Sequence, residues 1–307
     1  MRGHRGRVDP SGAESGVALT VAPVDSREKP LLGGVAIMLT GAVSNQTGAA
    51  IGAHAFPFIG PAGVVAVRQI VAAAVLLPVA RPPFRRMTWH QWWPTLLLAA
   101  VFATMNLSLY TAIDRIGLSL AVTLEFLGPL SVALVGSRTR LDLVIALAAG
   151  AGVYVLIQPG PTSDWLGIAL ALVAAGCWAS YIVLNRVLGS RLPGLQAPAA
   201  ATSVSAVVYL PVLVVLIAQG KLQGAALLYA VCAGVLSSAV PYAADLIALR
   251  RVPQRFFGVF MSVNPVIAAV AGIVLLGQVL DVHEWIGIAV VVTANAVAVA
   301  TSGGPRT

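Results

Sequence analysis

Three ionisable side chains lie inside long apolar runs of this chain, where a charge is costly. Arg68 lies within the apolar run 64–73 and Glu125 within the run 118–130, while Asp245 lies near the end of the run 224–248. A charge at the centre of a bilayer costs about 3 kcal/mol on insertion scales, and such residues mark proton and ion pathways. We therefore predict that Glu125, Arg68 and Asp245 take part in proton or ion coupling.

Arg68 and Glu125 are expected at similar depth in the membrane. Each lies about eight residues from the start of its predicted span, 61–80 for Arg68 and 117–137 for Glu125, and both spans are predicted to cross in the same direction. This depth allows the two side chains to form an ion pair. Such a pair belongs either to a transport site or to a structural contact that fixes the register of two helices.

Uncharged polar and aromatic residues inside the apolar runs of the chain form a second set. Asn106 and Tyr110 are four residues apart and Trp178 and Tyr181 are three apart, so each pair shares one helix face. Such side chains either line a substrate pocket or join helices through hydrogen bonds worth about 0.6 kcal/mol each. The predicted substrate-binding residues are Asn45, Asn106, Tyr110, Trp178, Tyr181, Tyr242 and Asn264. The further polar positions Gln46, Ser237, Ser238 and Asn295 suit helix packing, Asn295 most of all.

Two prolines occupy the middle of apolar runs. Pro129 and Pro265 each leave one backbone carbonyl without its helical donor and are expected to bend their helices. A free carbonyl beside a cavity is a ligand for an ammonium group. We therefore predict helix bends at these two positions.

The elements that carry these residues are membrane-spanning helices. The chain has 307 residues, is 58% hydrophobic and 10% charged, and has a mean hydropathy of +0.90. A water-soluble fold would expose much of this apolar surface. A bilayer core of about 30 Å requires roughly 20 apolar residues per helix, and the runs lack the alternation of barrel strands. The sequence predicts an all-α integral membrane protein with spans at 32–53, 61–80, 94–113, 117–137, 141–158, 165–187, 197–219, 224–248, 256–276 and 285–302.

The formal charge of +8 reflects membrane topology and does not indicate nucleic-acid binding. With the N-terminus inside, sixteen of the nineteen Lys and Arg residues fall on the cytoplasmic side, as the positive-inside rule requires. We predict a multi-pass protein of a bacterial cytoplasmic membrane with both termini in the cytoplasm. Residues 1–30 are expected to form a disordered tail, and residues 303–307 a short second tail.

The ten spans divide into two halves of five. Arg115 and Pro129 in the first half are matched by Arg251 and Pro265, each 136 residues later. Because five is odd, the second half enters the membrane in the opposite sense. Inverted repeats of this kind build alternating-access transporters with a site at the midplane. We predict one repeat at 31–160 and an inverted repeat at 161–302.

Cysteine, histidine and small residues give weaker indications. Cys177 and Cys232 both lie inside spans, which favours buried thiols, and the four histidines are scattered. No metal and no cofactor is predicted. The spacings Gly48-x3-Gly52 and Ala146-x3-Gly150 permit a homodimer or close packing within one chain.

Several of these segments resemble the EamA-type drug/metabolite transporters, and within them the threonine/homoserine exporter branch. The resemblance covers the whole membrane region in order, and its motifs are Gly60-Pro61-Ala62-Gly63-Val64 with Arg68, Leu124-Glu125-Phe126-Leu127-Gly128-Pro129-Leu130, Cys177-Trp178-Ala179-Ser180-Tyr181, and Leu236-Ser237-Ser238-Ala239-Val240-Pro241-Tyr242 followed by Ile247-Ala248-Leu249-Arg250-Arg251. It implies ten helices as two inverted EamA repeats around a central cavity, and proton-driven export of small hydrophilic amino acids.

The chain departs from that pattern at three positions. Asn264 stands where an acidic residue is associated with such exporters, and Gly277-Gln278 replaces the familiar Gly-Glu. Asp245 stands where the branch often carries Glu. These departures bear on the substrate and on how many protons are coupled, while Glu125 is retained.

The sequence thus predicts a secondary active transporter, not an enzyme. The substrate is expected to be a small amino acid or related metabolite, with protons and the lipid bilayer as further partners. Efflux of cationic or aromatic toxic compounds through Trp178, Tyr181 and Tyr242 is the alternative. A membrane enzyme would need a paired acidic or His motif, for which Asp281, His283 and Glu284 are the only candidates. A membrane scaffold would not explain polar groups kept at the midplane.

Overall fold

The computed structural model describes residues 28–135, 139–158, 160, 163–241, 244, 247 and 254–301. Two predicted site residues, Tyr242 and Asp245, lie outside the described residues, as does Arg251 of the proposed repeat. The same holds for residues 1–27 and 302–307, which contain nearly all of the two predicted tails.

All regular secondary structure in the described part of the chain is helical, and that part contains no strand. The first half comprises α1 (Glu28–Ala53), α2 (Phe56–Ala80), α3 (Trp89–Ile116), α4 (Leu118–Glu125), α5 (Leu127–Val135) and α6 (Arg140–Ile157). The second half comprises α7 (Trp165–Gly189), α8 (Gln196–Ala218), α9 (Gly224–Gly234) with a π-helix at Val235–Ala239, α10 (Gln254–Met261), α11 (Asn264–Leu276) and α12 (Val282–Thr301). A short 3₁₀ helix (Phe84–Arg86) links α2 to α3.

The predicted all-α integral membrane fold is confirmed. Within the described residues, eight stretches are long and apolar enough to cross a membrane, and the segment 224–239 is a shorter apolar helix. The helix α1 is not among these eight stretches. It is long enough to cross a membrane, but the polar residues 44–47 lower its mean hydropathy. With α4–α5 and α10–α11 each taken as one interrupted span, the helices correspond to the ten predicted spans.

Local sequence explains where several helices begin. Gly60 in α2 has a positive φ of 67° and is followed by Pro61. The regular part of this helix therefore begins at Pro61, where the second span is predicted to begin. Thr139 and Asp142 form a capping box at the start of α6, which satisfies backbone N–H groups that have no helical acceptor. Asp164 caps α7 by accepting a hydrogen bond from the Gly167 N–H at 2.8 Å.

Two spans are interrupted close to their prolines. The first breaks at Phe126 between α4 and α5, three residues before Pro129. The second breaks between α10 and α11, just before Pro265. A proline cannot donate to the carbonyl four residues earlier, and in the second span the Asn264 side-chain amide donates to that carbonyl, of Met261, at 2.8 Å.

Helices of the two halves interleave and do not form separate bundles. The helix α3 packs against α7 and α8, α2 against α8 and α9, α1 against α11, and α6 against α12. Gly48 allows close approach of α1 to the π-helix, because a Cβ there would overlap Ser237. The Gly48-x3-Gly52 pair therefore serves packing within the chain. Ala146 and Gly150 are exposed on α6.

Candidate functional site

A polar cavity of about 130 Å³ lies among α1, α2, α3, α4 and α7. It brings together six residues that the sequence predicts for coupling or substrate binding. Its walls are Asn45, Gln46, Ala49, Arg68, Met105, Asn106, Leu109, Tyr110, Val122, Glu125 and Trp178. We call this space the polar cavity.

Glu125 is the last residue of α4, directly before the helix break, and it is 6% exposed. Its carboxylate lines the polar cavity. Within the described residues it makes neither a hydrogen bond nor an ion pair. A buried carboxylate without a protein partner can bind a cation or a proton supplied from the cavity.

Arg68 is held by the π-helix of the second half. Its Nε donates to the Ser238 hydroxyl at 3.3 Å, and its Nη2 donates to the Ser237 carbonyl at 3.0 Å. The guanidinium also lies over the Tyr110 ring, 5.1 Å from the ring centroid. Two nitrogens are therefore engaged, and the remaining donors of the guanidinium stay available to the polar cavity.

The Arg68–Glu125 ion pair, which the sequence allows, does not form in this structure. The ion pair that the described residues make is Arg115–Asp164, with nitrogen and oxygen 3.0 Å apart. The guanidinium of Arg68 is drawn instead to the Ser237 carbonyl and Ser238 hydroxyl. The sequence pattern gave no indication of this arrangement, because a π-helix has no simple sequence signature.

The polar groups of α3 complete one side of the polar cavity. The Asn106 side-chain amide donates to the Phe102 carbonyl at 2.8 Å, so its side-chain oxygen is left as an acceptor. The Tyr110 hydroxyl is buried and has no hydrogen-bond partner among the described residues. Buried hydroxyl groups are normally satisfied, so an orphaned one beside a cavity points to a bound polar ligand.

Asn264 lies behind the wall of the polar cavity and does not line it. The Gln46 side-chain amide, which does line the cavity, donates to the Asn264 side-chain oxygen at 3.4 Å. The sequence reasoning did not assign Gln46 to the site. The adjacent polar pair Asn45–Gln46 inside an apolar run was the signal that could have identified it.

A second cavity of about 440 Å³ adjoins the first between α5 and α7 on one side and α10 and α12 on the other. Tyr181 lines this second cavity and not the polar cavity. Pro129, Phe126 and Asn295 also line it, and Trp178 is a wall of both spaces. We call this space the aromatic compartment.

A larger groove of about 630 Å³ lies on the outside of α3, α5 and α7. Leu97, Val135 and Val183 at its walls are exposed, which suits contact with lipid tails. The serine hydroxyls in its wall, Ser131 and Ser180, donate to carbonyls of their own helices. Those two hydroxyls are therefore already engaged, and the charged residue in the wall of the groove is Arg186.

The described residues contain no group of three or more His, Cys, Asp and Glu that could hold a metal ion. Glu284, one of the acids considered for an enzyme, accepts a hydrogen bond from the Asp281 N–H at 2.7 Å at the start of α12. That contact caps a helix end.

Comparisons with known proteins agree with this fold. Residues 165–300 match the profile of the EamA-like transporter family. The chain is 32% identical over 276 residues to the threonine/homoserine exporter RhtA of Salmonella typhimurium and to that of Escherichia coli, covering 89% of this chain and 93% of each relative. A protein of known crystal structure with 18% identity has the same fold, with a TM-score of 0.58 over 88% of this chain and 96% of that chain.

The chain belongs to the EamA-like transporter family. It is a multi-pass membrane transporter, and the predicted resemblance to the threonine/homoserine exporter branch is confirmed.

Proposed function

We propose that this transporter exports a small zwitterionic amino acid of the threonine or homoserine type in exchange for protons. The observation that carries the proposal is the polar cavity, in whose described walls one carboxylate and one guanidinium lie without being paired with each other. An amino acid carries both complementary charges, on two groups bonded to the same carbon. The relatives named threonine/homoserine exporter RhtA support the substrate class and the direction of transport.

The size of the polar cavity favours a small substrate. Its volume of about 130 Å³ equals that of roughly four water molecules at about 30 Å³ each. Pockets for drug-sized ligands measure about 300–1,000 Å³. A small amino acid suits the space, whereas a drug-like compound does not.

We expect the polar groups of the cavity to bind the substrate in one orientation. Its carboxylate faces the free donors of Arg68, and its ammonium group faces Glu125. Its side-chain hydroxyl faces the free acceptor of Asn106 or the unpartnered hydroxyl of Tyr110. A unit charge pair at 4 Å contributes about 4 kcal/mol at an effective dielectric of 20, so either charge has a large effect on affinity.

The proposed coupling rests on Glu125, the one carboxylate that lines the polar cavity among the described residues. Glu125 can hold the substrate ammonium only when it has released its proton, and a proton that returns to it displaces the ammonium group. If the proton leaves to the cytoplasm and returns from outside, substrate and proton move in opposite directions. The helix break directly after Glu125 allows the two halves to rock about the cavity.

The proposed setting is a bacterial cytoplasmic membrane with both chain ends in the cytoplasm. The distribution of Lys and Arg supports this orientation. A homodimer would use the exposed Ala146 and Gly150 on α6, since the other small-residue pair is occupied within the chain.

Efflux from proteoliposomes tests the proposal. Vesicles holding the purified protein are loaded with labelled threonine, and release is followed with and without an imposed pH gradient. We expect the wild type to release threonine faster when the outside is more acidic, and Glu125→Gln to lose that acceleration. Asp114→Asn, which removes an exposed acid of α3, is the matched control and should behave like the wild type. A Glu125→Gln variant that still responds fully to the gradient would overturn the coupling role.

A further inference from the structure

The polar cavity and the aromatic compartment are separated by a thin aromatic partition. Glu125 faces the polar cavity, and the next residue, Phe126, faces the aromatic compartment. The Phe126 and Trp178 rings meet edge to face, with centroids 4.7 Å apart and planes at 80°. Trp178 lines both spaces, which places it at the boundary between them.

The partition is held in place from both sides. The Asn295 side chain of α12 donates a hydrogen bond to the Phe126 carbonyl at 3.1 Å. Gly128 lies so close to α7 that an added Cβ would overlap the Ala175 carbonyl oxygen and lie 3.2 Å from the Trp178 Cβ. The ring pair is therefore fixed by backbone contacts and is not a loosely held surface feature.

The two spaces differ in size and chemistry. The aromatic compartment has more than three times the volume of the polar cavity, about 440 Å³ against about 130 Å³. Its walls are mostly apolar and include Phe126, Trp178, Tyr181, Phe257 and Met261, and they also contain the polar residues Arg186, Ser262 and Asn295. The aromatic and thioether walls suit large apolar and aromatic side chains, while Arg68 and Glu125, the two charges proposed to recognise the amino acid, lie in the polar cavity.

We propose that Trp178 is the size filter of this transporter, and that the aromatic compartment is a latent side-chain pocket which the indole closes. This inference rests on the proposed function. With the indole present, the polar cavity accepts only small amino acids. With it removed, the two spaces join, and an aromatic amino acid can place its charged end between Arg68 and Glu125 and its ring in the aromatic compartment.

A graded series at Trp178 tests the filter. Trp178→Phe, Trp178→Leu and Trp178→Ala are reconstituted, and exchange of labelled threonine and labelled phenylalanine is measured for each. We expect the phenylalanine-to-threonine ratio to rise as the side chain shrinks. In the variant with the smallest side chain that still folds, the ratio should rise at least about tenfold. An apolar pocket distinguishes two substrates that differ by one methylene group by about tenfold or more.

The matched control is Trp165→Ala on the same helix, because Trp165 is 56% exposed at the start of α7 and lines neither space. It should keep the wild-type ratio. A ratio that stays flat across the folded members, with threonine exchange intact, overturns the filter and leaves the proposed function standing. A wild type that exchanges no threonine overturns the proposed function itself. If Trp178→Ala does not fold, the Trp178→Leu ratio decides.

Discussion

Gly128→Ala is a single-methyl test of how α5 packs on α7. Gly128 is buried two residues into α5, and a Cβ at this position would overlap the carbonyl oxygen of Ala175. A carbonyl oxygen of a helix cannot rotate out of the way as a side chain can. The methyl group must therefore push α5 away from α7 and separate Phe126 from Trp178.

The expected cost follows from this overlap. Inserting a methyl group into a packed core costs typically 1–3 kcal/mol, and here the obstacle is backbone, which favours the upper part of that range. The opposing effect is the gain from replacing a helical glycine with alanine, about 1 kcal/mol. The net destabilisation is about 1–2 kcal/mol, the difference of these two effects.

The loss of stability is measured by heating the purified protein in detergent and monitoring its unfolding with fluorescence-detected size-exclusion chromatography. Gly176→Ala is the matched control, because it makes the same change on α7 with no atom within 4 Å of the added Cβ. We expect Gly128→Ala to unfold at a lower temperature than the wild type and Gly176→Ala to unfold at or above it. Equal midpoints for the two variants would refute the proposed contact between α5 and α7.

Three further predictions concern other contacts. Arg68→Lys keeps the charge but cannot reach both of its acceptors on the π-helix with one ammonium group; the KM for threonine exchange should rise about tenfold or more, since a hydrogen bond to a charged group contributes about 1.5–3 kcal/mol. Asn295→Ala removes the hydrogen bond to the Phe126 carbonyl and should lower stability by about 0.6–1.7 kcal/mol in an unfolding titration. Hydrogen bonds from the Gly167 N–H and from Arg115 hold the pKa of Asp164 below its ordinary value of 3.8. The stabilisation is therefore complete above that value and is lost as the pH falls through the lowered pKa; Asp164→Asn should flatten the fall of the unfolding midpoint on acidification.

The fold and much of the site could be predicted because the bilayer makes polar residues informative. Every apolar run had to be a helix, and a polar side chain within a run had to face the protein interior. That reasoning predicted six residues that line the polar cavity, among them Glu125 and Arg68. It required no knowledge of how the helices pack.

The remaining features depend on packing that a sequence pattern does not contain. The π-helix, which takes Arg68 away from Glu125, arises from how α9 meets α1 and α2. Trp178 and Tyr181 share a helix face, but three residues advance the helix by about 4.5 Å. That distance is enough to place Tyr181 beyond the partition, in the aromatic compartment.

The central claim is that the polar cavity is where the substrate binds, and filling it tests that claim most directly. Ala49 lines the polar cavity from α1 and is 6% exposed, so Ala49→Val and Ala49→Leu extend side chains into the space. Ala218→Leu at the exposed end of α8 is the control. Threonine exchange in proteoliposomes should fall from wild type to Ala49→Val to Ala49→Leu, in proteins that keep the wild-type unfolding temperature, and Ala218→Leu should retain full exchange. Wild-type exchange by a folded Ala49→Leu protein would contradict the account.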